Sequence, residues 1–355
     1  MDIKSFCLDQ HSRYPLLETQ DLVKALYQRE FGCGHLIADP DQGLAWLTEE
    51  LAACQTPGRE PPPLVEPLGD TFCRVHLQAA KSSGLSAGTL FRLFALSAEK
   101  AAGSMQAFEC QLAELDALIA AGEIRLSPIQ AQQFLAGYRL AGCPATHHSE
   151  AFRRAYHPAY RVIRADYARF LALFAAIDKL LAQDKPVSVA IEGSSATGKS
   201  TLAALLSRVY DCNVFHMDDF FLQPHQRTPE RFAEPGGNVD YERFREEILL
   251  PLSSEKPFSY RPFSCATMSL ASPVQVVPKQ LNIIEGAYSM HPALSGFYDF
   301  SVFLKIDADT QSSRILFRNG AQMQQRFLHE WIPLEKRYFE HFQIESQCSL
   351  RIDAQ

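Results

Sequence analysis

With 355 residues the chain is long enough for about two domains of ordinary size. It is 46% hydrophobic and 21% charged, with a mean hydropathy of -0.14, which is the composition of a globular protein rather than a disordered one. The formal net charge of -7 and a pI near 5.9 exclude a global basic field, so there is no strong nucleic-acid signal.

The opening MDIKSFCLDQHSRYPLLETQ lacks the charged-then-apolar pattern of a signal peptide. The longest apolar stretch, 170–177, falls far below the ~18 residues a membrane span needs. The nine cysteines are scattered singly, without a C-x-x-C pair, as expected of reduced thiols. A cytoplasmic location with no membrane segment is therefore expected. Thr19-Gln20-Asp21 starts a helix that Gly32-Cys33-Gly34 ends, and Asp39-Pro40-Asp41 starts another that runs through Cys54. The proline-rich stretch 57–67 reads as a loop or extended connection, and 70–77 as a short strand. Helical patterns follow over 86–102, 104–121 and, after Ser127-Pro128, up to Leu140. A mainly α-helical N-terminal domain over 1–160 is the result.

The segment 147–161, HHSEAFRRAYHPAYR, packs His, Arg, Tyr and Glu into one short polar-aromatic run. Either it walls a pocket, with Arg for an anion, His for a proton and Tyr for stacking, or its polar groups are hydrogen-bonded internally. No ligand spacing supports a metal site made of His35, His76, His147 and His148. Val162, Ile163, Tyr167, Phe170, Leu171, Phe174, Ile177, Leu180 and Leu181 then recur at helical spacing. They predict one amphipathic helix over 161–184 that bridges to a second domain, 185–355.

That domain opens on an apolar run, 187–191, followed by Gly193-Ser194-Ser195-Ala196-Thr197-Gly198-Lys199-Ser200-Thr201 and an Ala/Leu-rich helical pattern. Strand, glycine-bounded loop and helix in this order are the spacing of a P-loop. Backbone N–H groups of such a loop curl around a phosphate, helped by the positive end of the helix. Lys199 reaches the β- and γ-phosphates and Ser200 ligates Mg²⁺. Downstream, a strand at 213–216 ends in Met217-Asp218-Asp219-Phe220-Phe221, whose carboxylates face the ligand crevice of a parallel sheet. One of them holds the metal, takes a proton from an acceptor hydroxyl, or caps a turn. The turn-rich 234–241 leads into a helix over 242–252, and Tyr260-Arg261-Pro262-Phe263 forms an aromatic-basic loop. A strand at 280–284 runs into Glu285-Gly286, and another at 301–306 precedes a helix that carries Arg314 and Arg318. Strands alternating with helices predict an α/β fold, a doubly wound parallel sheet of P-loop NTPase type.

The motifs GSSATGKST, MDDFF, GGNVDY, IIEGAY and DADTQSSRILFRN, in this order over residues 185–345, resemble those of the uridine kinase and phosphoribulokinase family. The resemblance implies transfer of the γ-phosphoryl of Mg·ATP to a hydroxyl of a nucleoside or another ribose or polyol acceptor. It makes Asp218 the base near the acceptor hydroxyl, sets Asp240 against sugar hydroxyls, and places Glu285 near the metal with Ser200 and Asp218. It makes Arg314, Arg318 and, less directly, Arg326 the arginines that neutralise the moving phosphoryl group. Phe221, Tyr260 and Arg261 complete the acceptor side. Val239 departs from the aromatic usual at its position, and no T-H-S-R element follows Phe263. The acceptor's identity and the choice of ATP over GTP are left open, although no N-K-x-D guanine-reading element is present. A homo-oligomer also stays open. Two alternatives are a nucleotide-driven switch acting on the N-terminal domain or a partner, and a second enzymatic step in that domain.

Overall fold

The computed structural model describes residues 1–33, 39–54, 62–99 and 103–354. The chain divides into two compact units, Met1–Ala175 and Ala176–Gln355. None of the described helices is long and apolar enough to cross a membrane.

In the first unit the helices begin where side chains can cap them. Asp39 accepts from the amides of Asp41 and Gln42 ahead of Pro40–Ala53, and Ser104 accepts from Ala107 N–H ahead of Met105–Ala120. Thr19–Phe31 and Pro128–Leu140 also fall where sequence spacing puts them, and Ala87–Glu99 covers most of the run expected over 86–102. These helices accompany an antiparallel sheet of β1 (Val65–Pro67), β2 (Phe72–His76) and β3 (Tyr160–Arg164), in the order β1-β2-β3.

Strand β3 corrects the single bridging helix expected over 161–184. The helix Glu150–Tyr156 ends on His157, which has φ 46°, and Pro158 cannot continue it. Residues 160–164 then pair with β2, His76 opposite Tyr160 and Phe72 opposite Arg164. Val162 and Ile163 are stiff at χ1 and suit a pleated sheet, and β2 offers an edge that needs a partner. The long helix starts only at Leu171 and runs to Leu181, after a short turn of helix at Ala165–Ala168. The unit boundary therefore lies inside that helix.

All five residues of β2 are buried, Arg74 included. Its guanidinium donates to Glu66 Oε1 at 2.8 Å, to Gln10 Oε1 at 3.1 Å and to Gln28 Oε1 at 3.0 and 3.1 Å. Glu66 Oε2 accepts from the Tyr14 hydroxyl at 2.6 Å and meets His76 Nε2 at 3.0 Å. A charge this deep persists because each of its three nitrogens has an acceptor.

The second unit holds β4 (Val187–Gly193), β5 (Cys212–His216), β6 (Phe258–Tyr260), β7 (Phe263–Ser264), β8 (Ser269–Leu270), β9 (Val274–Val276), β10 (Leu281–Glu285), β11 (Phe300–Lys305) and β12 (Leu350–Asp353). Five of these form a parallel sheet in the order β12-β11-β4-β10-β5. β6 pairs with β9 and β7 with β8 as small antiparallel ribbons. The near-continuous apolar runs of β4 and β10 follow from burial on both faces. β4 is central, and the chain leaves it first toward β5 and later returns toward β11 on the other side, a switch point that opens a crevice at the strands' carboxyl ends. The helical stretch expected over 242–252 runs from Tyr241 to Leu252, with a π turn over Arg245–Leu249.

Candidate functional site

The loop between β4 and the Lys199–Val209 helix is shaped by close packing. Gly193 has φ +147°, and a Cβ there would lie 2.5 Å from the Leu304 carbonyl oxygen of β11. Only glycine lets the two strands approach so closely. Ala196 at φ 63° and Gly198 at φ 95° then turn the chain into the helix. Loop carbonyls are held by protein donors: Lys199 Nζ on Gly193 O at 2.8 Å and Ser194 O at 2.9 Å, Gln311 Nε2 on Ser195 O at 2.8 Å, and Arg314 on Ala196 O at 3.4 Å. With the carbonyls engaged, the loop amides and the unpaired N–H groups of the helix's first turn are what an anion meets.

One of these amides already holds a carboxylate. Ser195 N–H donates to Glu335 Oε2 at 3.0 Å, and the Ser195 hydroxyl donates to Glu335 Oε1. Burial raises the Glu335 pKa, while Lys199 and the Ser195 bonds oppose the rise. Just before the loop, Glu192 is fully buried and accepts from the amides of Gly193, Tyr288 and Met290. Burial pushes its pKa up to about 7.

Register carries the next groups to the same place. Glu285 at the end of β10 lies opposite Ile191 of β4 and His216 of β5. Its Oε1 accepts from Ser200 Oγ at 3.1 Å and meets His216 Nδ1 at 2.5 Å. That bond raises the His216 pKa against the effect of burial, and the carboxylates of Glu285, Asp219 and Asp218 add to it. Gly286, with φ +141°, lets β10 pass where a Cβ would stand 2.6 Å from Met217 Cβ, and so draws the Met217–Phe220 turn against Glu285. Asp218 in that turn keeps an exposed surface, yet the surrounding protein pushes its carboxyl above the usual range. Lys199 opposes this shift and Glu285 adds to it.

The expected acceptor side is assembled by backbone pairing. Asp240 N–H donates to Phe220 O at 2.7 Å, and Phe221 bridges to Val239. The Asp240 carboxylate itself is buried and engaged, accepting from Arg243 N–H at 3.1 Å and Gln226 Nε2 at 2.9 Å. Val239 lies in the core. The buried Tyr260 hydroxyl donates to Asp219 Oδ2 at 3.3 Å, so Asp219 rather than Asp218 meets it. Arg261 instead braces its own hairpin through Ala271 O and Leu270 O, at 2.8 and 2.9 Å. Of the three arginines expected around the phosphoryl group, Arg314 touches the loop. Arg318 donates to Asn319 Oδ1 at the surface, and Arg326 pairs with Glu330. An open cavity of about 450 Å³ lies beside Arg314, lined also by Asp309, Thr310, Ser313 and Phe317.

Sequence reasoning missed Glu192, His216, Asp219 as the partner of Tyr260, and Glu335. A carboxylate inside the apolar run VSVAIEG was the one available signal for Glu192. His216 stood at a strand's carboxyl end, while Glu335 lies 140 positions from the residue it touches and left no local trace.

Ser200 Oγ, Glu285 and the Asp218 turn are oxygen donors of the kind Mg²⁺ prefers, and their crowded carboxylates fit a cation. Among the described residues no three His, Cys, Asp or Glu side chains gather closely enough to hold a metal alone.

In the first unit the buried part of the polar segment 147–161 is hydrogen-bonded within the protein. His148 Nδ1 meets Asp21 Oδ1 at 2.8 Å, Ser149 Oγ donates to Asp21 Oδ2 at 2.6 Å, and His148 Nε2 meets the Tyr160 hydroxyl at 2.7 Å. Burial lowers the His148 pKa to about 4, so the ring is neutral. His147 is exposed, and His35 lies outside the described residues.

No protein-family profile matches the chain, and no curated relative does. Among solved structures, it is similar to a protein called a possible uridine kinase from Bacillus stearothermophilus, at 21% identity and a TM-score of 0.39, over 51% of this chain and 99% of that one. It is likewise similar to a protein provisionally called a fructose transport system kinase from Silicibacter sp. TM1040, at 21% identity and a TM-score of 0.40, over 50% and 97%. A shikimate kinase from Bacteroides thetaiotaomicron matches at 15% identity and a TM-score of 0.26, over 47% and 86%.

Proposed function

We propose that the second unit is a small-molecule kinase that moves the γ-phosphoryl of Mg·ATP to a hydroxyl of a nucleoside or another ribose or polyol acceptor. The observation that carries this reading is the convergence of a glycine-shaped amide loop with two carboxylate-bearing strand ends, Glu285 and the Asp218 turn, at one end of a parallel sheet.

In this reading the amides of 195–200 hold the donor's phosphates, and Lys199 leaves the Gly193 and Ser194 carbonyls to meet them. The cavity beside Arg314 leaves room for the rest of the nucleotide. Ser200 and Glu285 would hold Mg²⁺, which when bound supplies charge neutralisation for the phosphates. Asp218 takes the proton of the acceptor hydroxyl as its oxygen bonds to phosphorus and the bond to the ADP oxygen breaks. Arg314, held on the Ala196 and Ala354 carbonyls, would leave them to meet the developing charge. A nucleotide switch would need no second carboxylate set, so the Asp218 turn favours transfer over switching.

An ATP-consumption screen of the full chain over nucleosides, sugars and other polyols tests the reading. The acceptor it finds should then be lost to Asp218→Asn, with turnover falling at least about 100-fold while nucleotide affinity stays within about twofold. Normal turnover by that variant would remove Asp218 from the mechanism.

A further inference from the structure

The phosphate loop of this protein already carries an anion of its own. We propose that Glu335 is a built-in occupant of the loop, which the phosphates of an entering nucleotide must displace, and that its departure is passed along the Ile332–Phe342 helix to residues 232–237. The inference rests on reading 193–200 as a phosphate loop.

Two observations and one physical argument carry it. Glu335 is 4% exposed and takes both donors of Ser195, the amide and the hydroxyl, as a phosphate oxygen would. A buried carboxylate and a phosphate cannot share that amide, because two anions at contact distance repel strongly where water is excluded. The loop is also closed from the other side, with Lys199 folded onto the Gly193 and Ser194 carbonyls. Both the cation and the amide that would meet a phosphate are thus engaged within the protein.

The helix that carries Glu335 makes the contact more than local. Two residues on, Arg337 donates to the carbonyls of Phe232 at 2.7 Å and Glu234 at 3.1 Å. Three residues on, the Tyr338 hydroxyl donates to Glu192 Oε2 at 3.1 Å, and its ring packs so closely on Gly236 that a Cβ there would come within 3.0 Å. Glu335, Arg337 and Tyr338 lie within about one turn of helix, so a shift of that helix that withdraws the first also displaces the other two. Residues 232–237 lead into the Asp240 segment that pairs with the Asp218 turn. Filling the loop with phosphate therefore frees or re-seats the segment next to the acceptor side.

Calorimetric titration of the full chain with ADP and with inorganic pyrophosphate, for wild type, Glu335→Gln and Glu335→Ala, tests this. Both variants should bind each probe at least about tenfold more tightly than wild type, about 1.4 kcal/mol. Hydrogen exchange at 232–237 should rise in wild type on adding ADP, and in Glu335→Ala should already be high without it. Should the alanine variant fail to fold, Glu335→Gln decides alone, since it keeps the shape and drops the charge. Wild-type binding that is unchanged or weakened in the variants overturns the inference and makes Glu335 a brace for the loop. No binding of either probe by any of the three proteins sinks the phosphate-loop reading itself.

Discussion

Glu192 shows how much a single buried carboxylate can weigh. Besides the three amides, it accepts from the Tyr338 hydroxyl at 3.1 Å and the Ser289 hydroxyl at 3.4 Å, and so ties the start of the loop to the turn after β10. Burial still places its folded pKa near 7, above the ordinary 4.5. Between those values the folded chain keeps a proton that the unfolded chain releases, so stability falls as pH rises from 4.5 through 7. The whole effect is about 3 kcal/mol. Glu192→Gln cannot titrate, so its urea-unfolding free energy should lose that part of the decline between pH 5 and 8. The variant should also be the less stable protein at pH 5, because its NH₂ group faces backbone N–H donors. Equal pH slopes in the two proteins would show that Glu192 does not titrate in this range. Of the candidate site, Lys199, Ser200, Asp218 and Glu285 could be singled out from sequence because each stands in a short motif or at the end of an apolar run. Glu335 and the pairing of Tyr260 with Asp219 exist only once distant segments meet, and no spacing along the chain encodes that.

At the scale of elements, the β4 loop separates two roles of glycine that look alike in sequence. Gly193 and Gly198 both have positive φ, but a Cβ at 193 meets the Leu304 carbonyl while nothing stands within 4 Å of one at 198. Gly198→Ala should therefore cost only the backbone conformation, about 1 kcal/mol, whereas Gly193→Ala adds a clash with a strand that cannot move aside and should cost more than about 2 kcal/mol. Denaturant midpoints of the two variants check the order, and a Gly198→Ala loss as large as that of Gly193→Ala would refute the packing account. The elements that were predictable share a local cause. Asp39, Ser104 and Ser127 cap the helices they precede, and β4 and β10 are unbroken apolar runs. β3 was not, because Val162 and Ile163 satisfy helical spacing as well as strand pairing, and their partner strand, Phe72–His76, lies far back in the chain. The helix Ile3–Arg13 went unseen because only Phe6, Cys7 and Gln10 are buried along it, too sparse a stripe to register as periodicity.

Taken as a whole, the chain joins a unit whose charges are closed upon themselves to one whose charges are gathered around the β4 loop and the strand ends beside it. In Met1–Ala175, Arg74 is matched by Glu66, Gln10 and Gln28, and Asp21 by His148 and Ser149. In Ala176–Gln355, Glu192, Asp218, Asp219, Glu285 and Glu335 surround Lys199 and His216, and most of these carboxyls are held above their usual range. Under the proposed function a divalent cation and the loop's own amides would relieve this surplus of negative charge, and Mg·ADP would bind to the second unit. Hydrogen exchange of the full chain with and without Mg·ADP separates the two broad readings. Phosphotransfer confined to the second unit predicts added protection at 193–201 and at the strand ends near 216 and 285, with exchange at 66–76, 148–149 and 160–164 unchanged. A nucleotide-driven switch predicts altered exchange in the Arg74 and Asp21 networks, and that result would overturn the assignment of the site to small-molecule phosphorylation.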